Sequence, residues 1–420
     1  MDKSLGKRNL AFWKSMQERA LSIKVEEEEK KQQVPFLDKD CISNILIRVP
    51  LESLPSSRFV CKTWYNIINS PVFIDERLRC SESVLIFLKP VPNESSYPFS
   101  STSKQPKQQN NFSVEASLGE SGLEPVPLLW KPTITGPKFS IHFVKFEDGK
   151  SKIGEYNVSC QGHIRATCNG LILLDNKLKK GGLIVMNPIT RKLLALPPGT
   201  IYPPHDESYG FVFSDATGEY KVVHLFRDEL GHVSCETLNI GTRCWRPVNG
   251  PAFGLFGWFG YKPVSAIEAL HWIPQIDHND YIVSMEVEND KFHTVPLPQS
   301  CRTYDRILEM GGLLCFVAHE ELNIDIWKLK SLCSGDTWTK HYSICSGSVI
   351  DMFPVFGLRM SGDLIFKRDE DGSCYAYDFK LQEMRKVEMD DKLLRFYNSD
   401  TYLPHVNSFV SWMKNKVASH

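Results

Sequence analysis

Residues 37–78 read LDKDCISNILIRVPLESLPSSRFVCKTWYNIINSPVFIDERL, and the spacing of their apolar side chains sets the architecture. Ile42, Ile45, Leu46 and Val49 fall at i, i+3, i+4 and i+7, so a helix beginning near Asp40 carries all four on one face. Pro50 ends that helix. Leu51 and Leu54 open a second helical turn, and Cys61, Trp64, Tyr65 and Ile68 repeat the helical spacing until Ser70-Pro71 stops the third segment. Three short helices bury too little apolar surface to be stable by burial alone. Apolar positions left uncovered after they fold therefore predict a partner.

In one register these residues resemble the F-box, the segment that docks substrate receptors on the Skp adaptor of cullin-RING ubiquitin ligases. The matching positions are Leu37, Ile45-Leu46, Val49-Pro50-Leu51 with Leu54, then Arg58, Val60-Cys61-Lys62 and Trp64, with Pro71 and Phe73 at the exit. The F-box spans 34–80 on this reading. Where the family has Leu-Pro, this chain has Leu37-Asp38. Asp suits a helix start because its carboxylate caps free N–H groups and complements the helix dipole. By the resemblance, Leu37, Ile45, Leu46, Val49, Pro50, Leu51, Leu54 and Trp64 are the adaptor contacts or their immediate support. A charge at such a position, as in Leu54→Asp, is expected to abolish adaptor binding.

The whole chain has 420 residues, enough for two or three domains or one large all-β domain beside the helical segment. Its formal net charge of -1 argues against general attraction to nucleic acid or membrane, which leaves protein partners. The 12 cysteines show no CxxC pair and no Cys/His cluster at zinc spacing, so reduced thiols in a cytoplasmic or nuclear protein are expected. No apolar run approaches a membrane span.

Outside the helical segment, residues 1–33 read as a charged extension, partly helical or disordered, with an acidic run at 26–29. Residues 83–88 form an apolar run suited to a buried strand, and 92–127, rich in Ser, Gln, Asn, Pro and Lys, reads as a low-complexity loop inserted between strands. Beyond Lys138 short apolar runs alternate with turn signals such as Asp148-Gly149, Thr217-Gly218 and Asp371-Gly372. Expected strands include 139–146, 171–174, 183–186, 209–213, 220–226, 235–240, 268–273, 281–287, 312–317, 324–329, 364–367 and 374–378. Introduced by small or polar residues, such strands recur at Cys168, Ser208, Glu268, Gly311 and Ser361, at steps of roughly 40 to 60 residues, the length of one four-stranded blade. The large all-β domain, 81–395, is thus expected to be a β-propeller, with a sandwich-like assembly second. Residues 396–420, with Phe409, Trp412 and Met413, are a closing segment or tail.

A second resemblance accompanies this pattern. Thr167-Cys-Asn-Gly-Leu, Asn187-Pro-Ile-Thr-Arg with Leu196-Pro-Pro, Tyr209-Gly-Phe with Asp215, Tyr220-Lys-Val-Val and Trp245-Arg look like the F-box-associated, kelch-like domain of the large plant F-box family. Gly311-Gly-Leu-Leu-Cys, Ile326-Trp-Lys-Leu and Trp338-Thr-Lys continue the same order. The resemblance implies a non-enzymatic substrate receptor: Skp adaptor and cullin through the F-box, a target protein through the β-domain.

Motifs for chemistry are missing. The chain has no GxxxxGK[ST] phosphate loop, GxSxG elbow or HExxH pair, and no cofactor is called for. His163, His205, His224, His232 and His271 have no ligand spacing and read as surface or satisfied strand histidines. Trp258 and Phe259, set among glycines in Gly254-Leu-Phe-Gly-Trp-Phe-Gly, are the expected target-binding residues. The competing readings are an adaptor-binding protein acting outside a ligase and, further off, a propeller-fold enzyme.

Overall fold

The computed structural model describes residues 37–91, 138–176, 182–200, 207–227, 230, 232–251, 262–274, 279–320, 323–332, 338–345, 351–388 and 402–412. The extension 1–33, the loop 92–127, and Trp258 and Phe259 lie outside these residues. The chain divides into two compact units, Met1–Arg77 and Leu78–His420.

In the first unit, α1 (Lys39–Arg48) is followed by a 3₁₀ turn (Leu51–Ser53), α2 (Leu54–Ser57), α3 (Lys62–Ile68) and α4 (Pro71–Arg79). Asp38 is the N-cap of α1: its carboxylate accepts from Lys39 N at 2.7 Å, so the helix starts without the proline. Ser70-Pro71 does more than stop a helix. Pro71 is the first residue of α4, where its missing N–H costs nothing and its fixed φ is already helical, so the segment has one more helix than the apolar spacing suggests. Leu46, Leu51, Leu54, Ile67, Ile68 and Phe73 make the small core. Arg77 donates from Nη1 to the Ile47 carbonyl, tying α4 to the last turn of α1.

The second unit is a six-bladed β-propeller, each blade a four-stranded antiparallel sheet. Blade 2 is typical: Ile164–Cys168, Leu171–Asn176, Gly182–Asn187 and Lys192–Ala195 follow one another from the central axis outward. Blades 3 to 6 begin with Glu207–Ser214, Val264–Ala266, Arg306–Met310 and Met352–Gly357. These first strands pack on those of neighbouring blades, as Ile164–Cys168 does on Glu207–Ser214. Blade 1 is assembled from both ends of the unit: Leu403–Val406 supplies its innermost strand and pairs antiparallel with Ser83–Pro90, which is followed by Phe139–Glu147 and Lys150–Cys160.

The middle strands are buried on both faces. Seven consecutive residues of Glu219–Arg227 are buried, Lys221 and His224 among them. Fourth strands such as Lys192–Ala195 and Glu383–Lys386 are mostly exposed. The core is therefore a ring of clusters between blades: Ile86, Ile141 and Ile172 between blades 1 and 2, Trp272 and Val223 between 3 and 4, Phe366 and Ile326 between 5 and 6, Phe87 and Phe356 between 6 and 1.

Some of the turns joining a blade's first and second strands are tight. In blade 2, Asn169 and Gly170 both take positive φ, 50° and 89°, as a two-residue hairpin requires. A Cβ on Gly170 would meet the side chain of Ser408 and stand 2.8 Å from the Val406 carbonyl oxygen, so the closing segment lies directly on this turn.

Candidate functional site

Two features stand out, an apolar surface on the helical unit and a buried charge network in the propeller. On the helical unit α1 buries only Leu46; Ile45, one position earlier, is 49% exposed, and Leu37 and Pro50 are exposed as well. Val49 and Trp64 are half-buried. Leu46, Leu51 and Leu54 face inward, Leu54 with 0% exposure, so these three support the surface from beneath. Leu54→Asp would accordingly place a carboxylate in the core of the unit, and it tests folding rather than the adaptor face. Four further residues share the exposure: Phe59 at 87%, with Val60, Tyr65 and Val72. Phe59 and Val60 sit in the bend between α2 and α3, where helical spacing has no phase to reveal which way a side chain points.

The second feature crosses the junction of blades 2 and 3. Arg165, on the first strand of blade 2, donates from Nε to Asp175 Oδ1 at 2.6 Å and from Nη2 to Glu207 Oε1 at 2.7 Å. Its guanidinium lies over the Tyr209 ring, 5.3 Å from the centroid, and Tyr209 stacks on the His224 imidazole at 4.2 Å with an interplanar angle of 3°. Strand pairing sets this up: His224 is directly opposite Tyr209 on one side and Glu236 on the other. His224 Nδ1 is 2.8 Å from Glu236 Oε1, and Nε2 is 3.4 Å from Glu207 Oε2. Glu236 also accepts from Thr200 N at 2.8 Å and Thr200 Oγ1 at 2.7 Å.

Burial disfavours a charge on His224, but the two glutamates outweigh it and raise the imidazole pKa above 6.5. Burial likewise pushes Glu207 and Glu236 upward, and their bonds to His224, with Arg165 and Thr200, hold both below the usual carboxylate range. His224 is thus an ion-paired core residue rather than a surface one. Its neighbours lie 12 and 17 positions away in sequence, which is why local spacing does not disclose them.

Among the described residues no group of three or more His, Cys, Asp and Glu is arranged to hold a metal ion, and no helix is long and apolar enough to cross a membrane. Every described cysteine is a free thiol.

Comparison with known proteins agrees with both units. The F-box domain model matches residues 36–76, and the F-box associated beta propeller domain model matches 137–410. A short helical segment followed by such a propeller defines an F-box protein of the substrate-receptor type. The chain belongs to the F-box family that carries this associated propeller, whose members are typically non-catalytic receptors. F-box protein At3g07870 of Arabidopsis thaliana is 24% identical over 344 residues, covering 73% of this chain and 72% of its own. F-box protein CPR1 of the same plant is 23% identical over 343 residues, again covering 73% and 72%. Among solved structures, TolB from Acinetobacter baumannii superposes with a TM-score of 0.38 at 10% identity, over 60% of each chain.

Proposed function

We propose that this chain is the substrate-recognition subunit of a Skp-cullin-F-box ubiquitin ligase, with the F-box docked on a Skp-family adaptor and the propeller holding a target protein. The observation that carries this reading is the set of exposed apolar side chains, Leu37, Ile45, Phe59, Val60, Tyr65 and Val72, on a unit whose sequence matches the F-box. Large apolar groups gathered on so small a unit cost solubility unless a partner covers them. Cargo and conjugating enzyme, held in one complex, meet at a raised effective concentration, so the receptor itself needs no catalytic side chain.

The test separates surface from support. Ile45→Asp alters an exposed position and should weaken capture by a purified Skp adaptor about thirtyfold, roughly 2 kcal/mol, with the melting temperature of the chain unchanged. Leu54→Asp should lose adaptor binding together with the helical signal of the unit. Undiminished adaptor affinity in a folded Ile45→Asp protein would overturn the proposal.

A further inference from the structure

The turn between the first two strands of blade 6, Met352–Gly357 and Leu364–Arg368, closes on itself with only some of its N–H groups. Leu358 N donates to the Asp363 carbonyl at 2.8 Å, Gly362 N to that of Leu358 at 2.9 Å, and Asp363 N to Ser361 Oγ at 3.2 Å. Gly362, at φ 80°, lets the chain double back. Three successive N–H groups, those of Arg359, Met360 and Ser361, donate instead outside the turn. Such a row of backbone dipoles makes a concavity for an anion. Here the anion is Glu82, 277 positions before Arg359 and the residue that precedes Ser83–Pro90.

Glu82 Oε1 accepts from Arg359 N at 2.5 Å and Oε2 from Ser361 N at 3.3 Å, with Met360 N between them at 3.2 and 3.1 Å. Oε1 also accepts from Ser83 N at 2.7 Å, and Arg359 Nη1 donates to the Leu78 carbonyl at 3.2 Å. Leu78, Glu82 and the turn all belong to the second unit.

We infer that Glu82 is a second clasp of the ring, fastening the start of blade 1 to blade 6 where the closing strand pairs. Ser83, next in sequence, is opposite Val406 in that pairing. One strand end is therefore held twice, by Leu403–Val406 within blade 1 and by the carboxylate from blade 6. Apolar side chains fill the same seam, Leu85 and Phe87 against Phe356 and Ile365, but burial is non-directional and does not fix where a strand starts. Hydrogen bonds to an ionised acceptor are directional and stronger than neutral ones. Asp363 registers the charge: burial first, then Asp378 and Glu82, raise its carboxyl pKa against Ser361 and Lys380. This clasp stands independently of the receptor role.

Amide hydrogen exchange of the full chain, with NMR titration of the Asp363 carboxyl, tests it. Glu82→Gln keeps the length of the side chain but offers one oxygen, and its NH2 faces the remaining N–H. Protection should fall about tenfold at one end of the row, Arg359 or Ser361, and about tenfold across Leu403–Val406, with Leu171–Asn176 in blade 2 unaltered. The Asp363 midpoint should move down, since one of the charges raising it is gone. Arg359→Ala keeps the backbone N–H and should leave protection at 359–361 as it is. Unchanged protection at 359–361 in Glu82→Gln, or an unmoved Asp363 midpoint, would overturn the clasp. So would an equal fall in Arg359→Ala, which assigns the effect to the guanidinium. Loss at the turn with Leu403–Val406 untouched would overturn it too, because that is the result for a residue that only caps a turn.

Discussion

At the scale of single residues, the buried histidines of this protein differ in what their rings meet. His405 is 3% exposed on the closing strand, and neither ring nitrogen has a hydrogen-bond partner; its ring lies edge-on to Tyr156, itself a neutral phenol bonded to Asn407. Burial lowers its pKa from 6.5 to about 3, so the folded protein keeps it uncharged while the unfolded chain protonates it. Stability should accordingly be intact above 6.5 and decline below it, by about 1.4 kcal/mol per pH unit from this group as the pH falls towards 3. His405→Leu should remove that share of the acid sensitivity and leave the protein at least as stable at neutral pH. Melting curves of both proteins between pH 7.5 and 5.5 would decide it; parallel pH profiles would remove the explanation. His405 and His224 have the same sequence signature, a histidine among apolar strand residues, and opposite electrostatics. Only the strand register, which sets two glutamates around one and hydrocarbon around the other, tells them apart.

At the scale of elements, middle strands are legible because both faces are buried and the apolar run is continuous, as in Leu171–Asn176 or Leu313–Glu320. The outer strands escape because solvent covers them: Cys244–Val248 has no buried residue and no alternation to read. The motif Asn187-Pro-Ile-Thr-Arg shows a third situation, where the sequence attracts notice and geometry explains it. Asn187 is fully buried; Oδ1 accepts from the N–H groups of Ile189 and Thr190 at 2.9 and 3.0 Å, building the turn. Its Nδ2 donates to the carbonyls of Ser408 and Val410 at 3.0 and 2.9 Å, anchoring the closing segment. One side chain thus satisfies four backbone groups, and the two carbonyls of the buried closing segment would be costly to leave unpaired. Asn187→Ala should destabilise the propeller by about 3 kcal/mol, measured by denaturant unfolding. Asn187→Asp should cost as much, since it keeps the turn but loses the donor; a change under about 1 kcal/mol in both would contradict this role.

At the scale of the molecule, the ring closes through four residue pairs between Leu403–Val406 and Ser83–Pro90. Thr167 Oγ1 donates to the Pro404 carbonyl and Ser408 Oγ to that of Asn169, so the same segment is fastened to blade 2. Removing 403–420 takes the inner strand from blade 1 and uncovers the cluster it shares with blade 2. The truncated chain should melt more than about 10 °C lower and lose a single cooperative transition, read by calorimetry. An unchanged transition would mean that the other blades close without it. That the repeat is a propeller could be read from blade-length steps, but the closure could not: its strand is short, holds a proline, and pairs with residues over three hundred positions earlier.

The two-ended blade has a consequence for synthesis. The helical unit leaves the ribosome first and belongs to a separate compact body, whereas the ring waits for the last strand to be translated. At about 5–20 residues per second the interval is on the order of tens of seconds. A message cut short before codon 403 would therefore yield a protein whose helical head can fold while the ring lacks its closing strand.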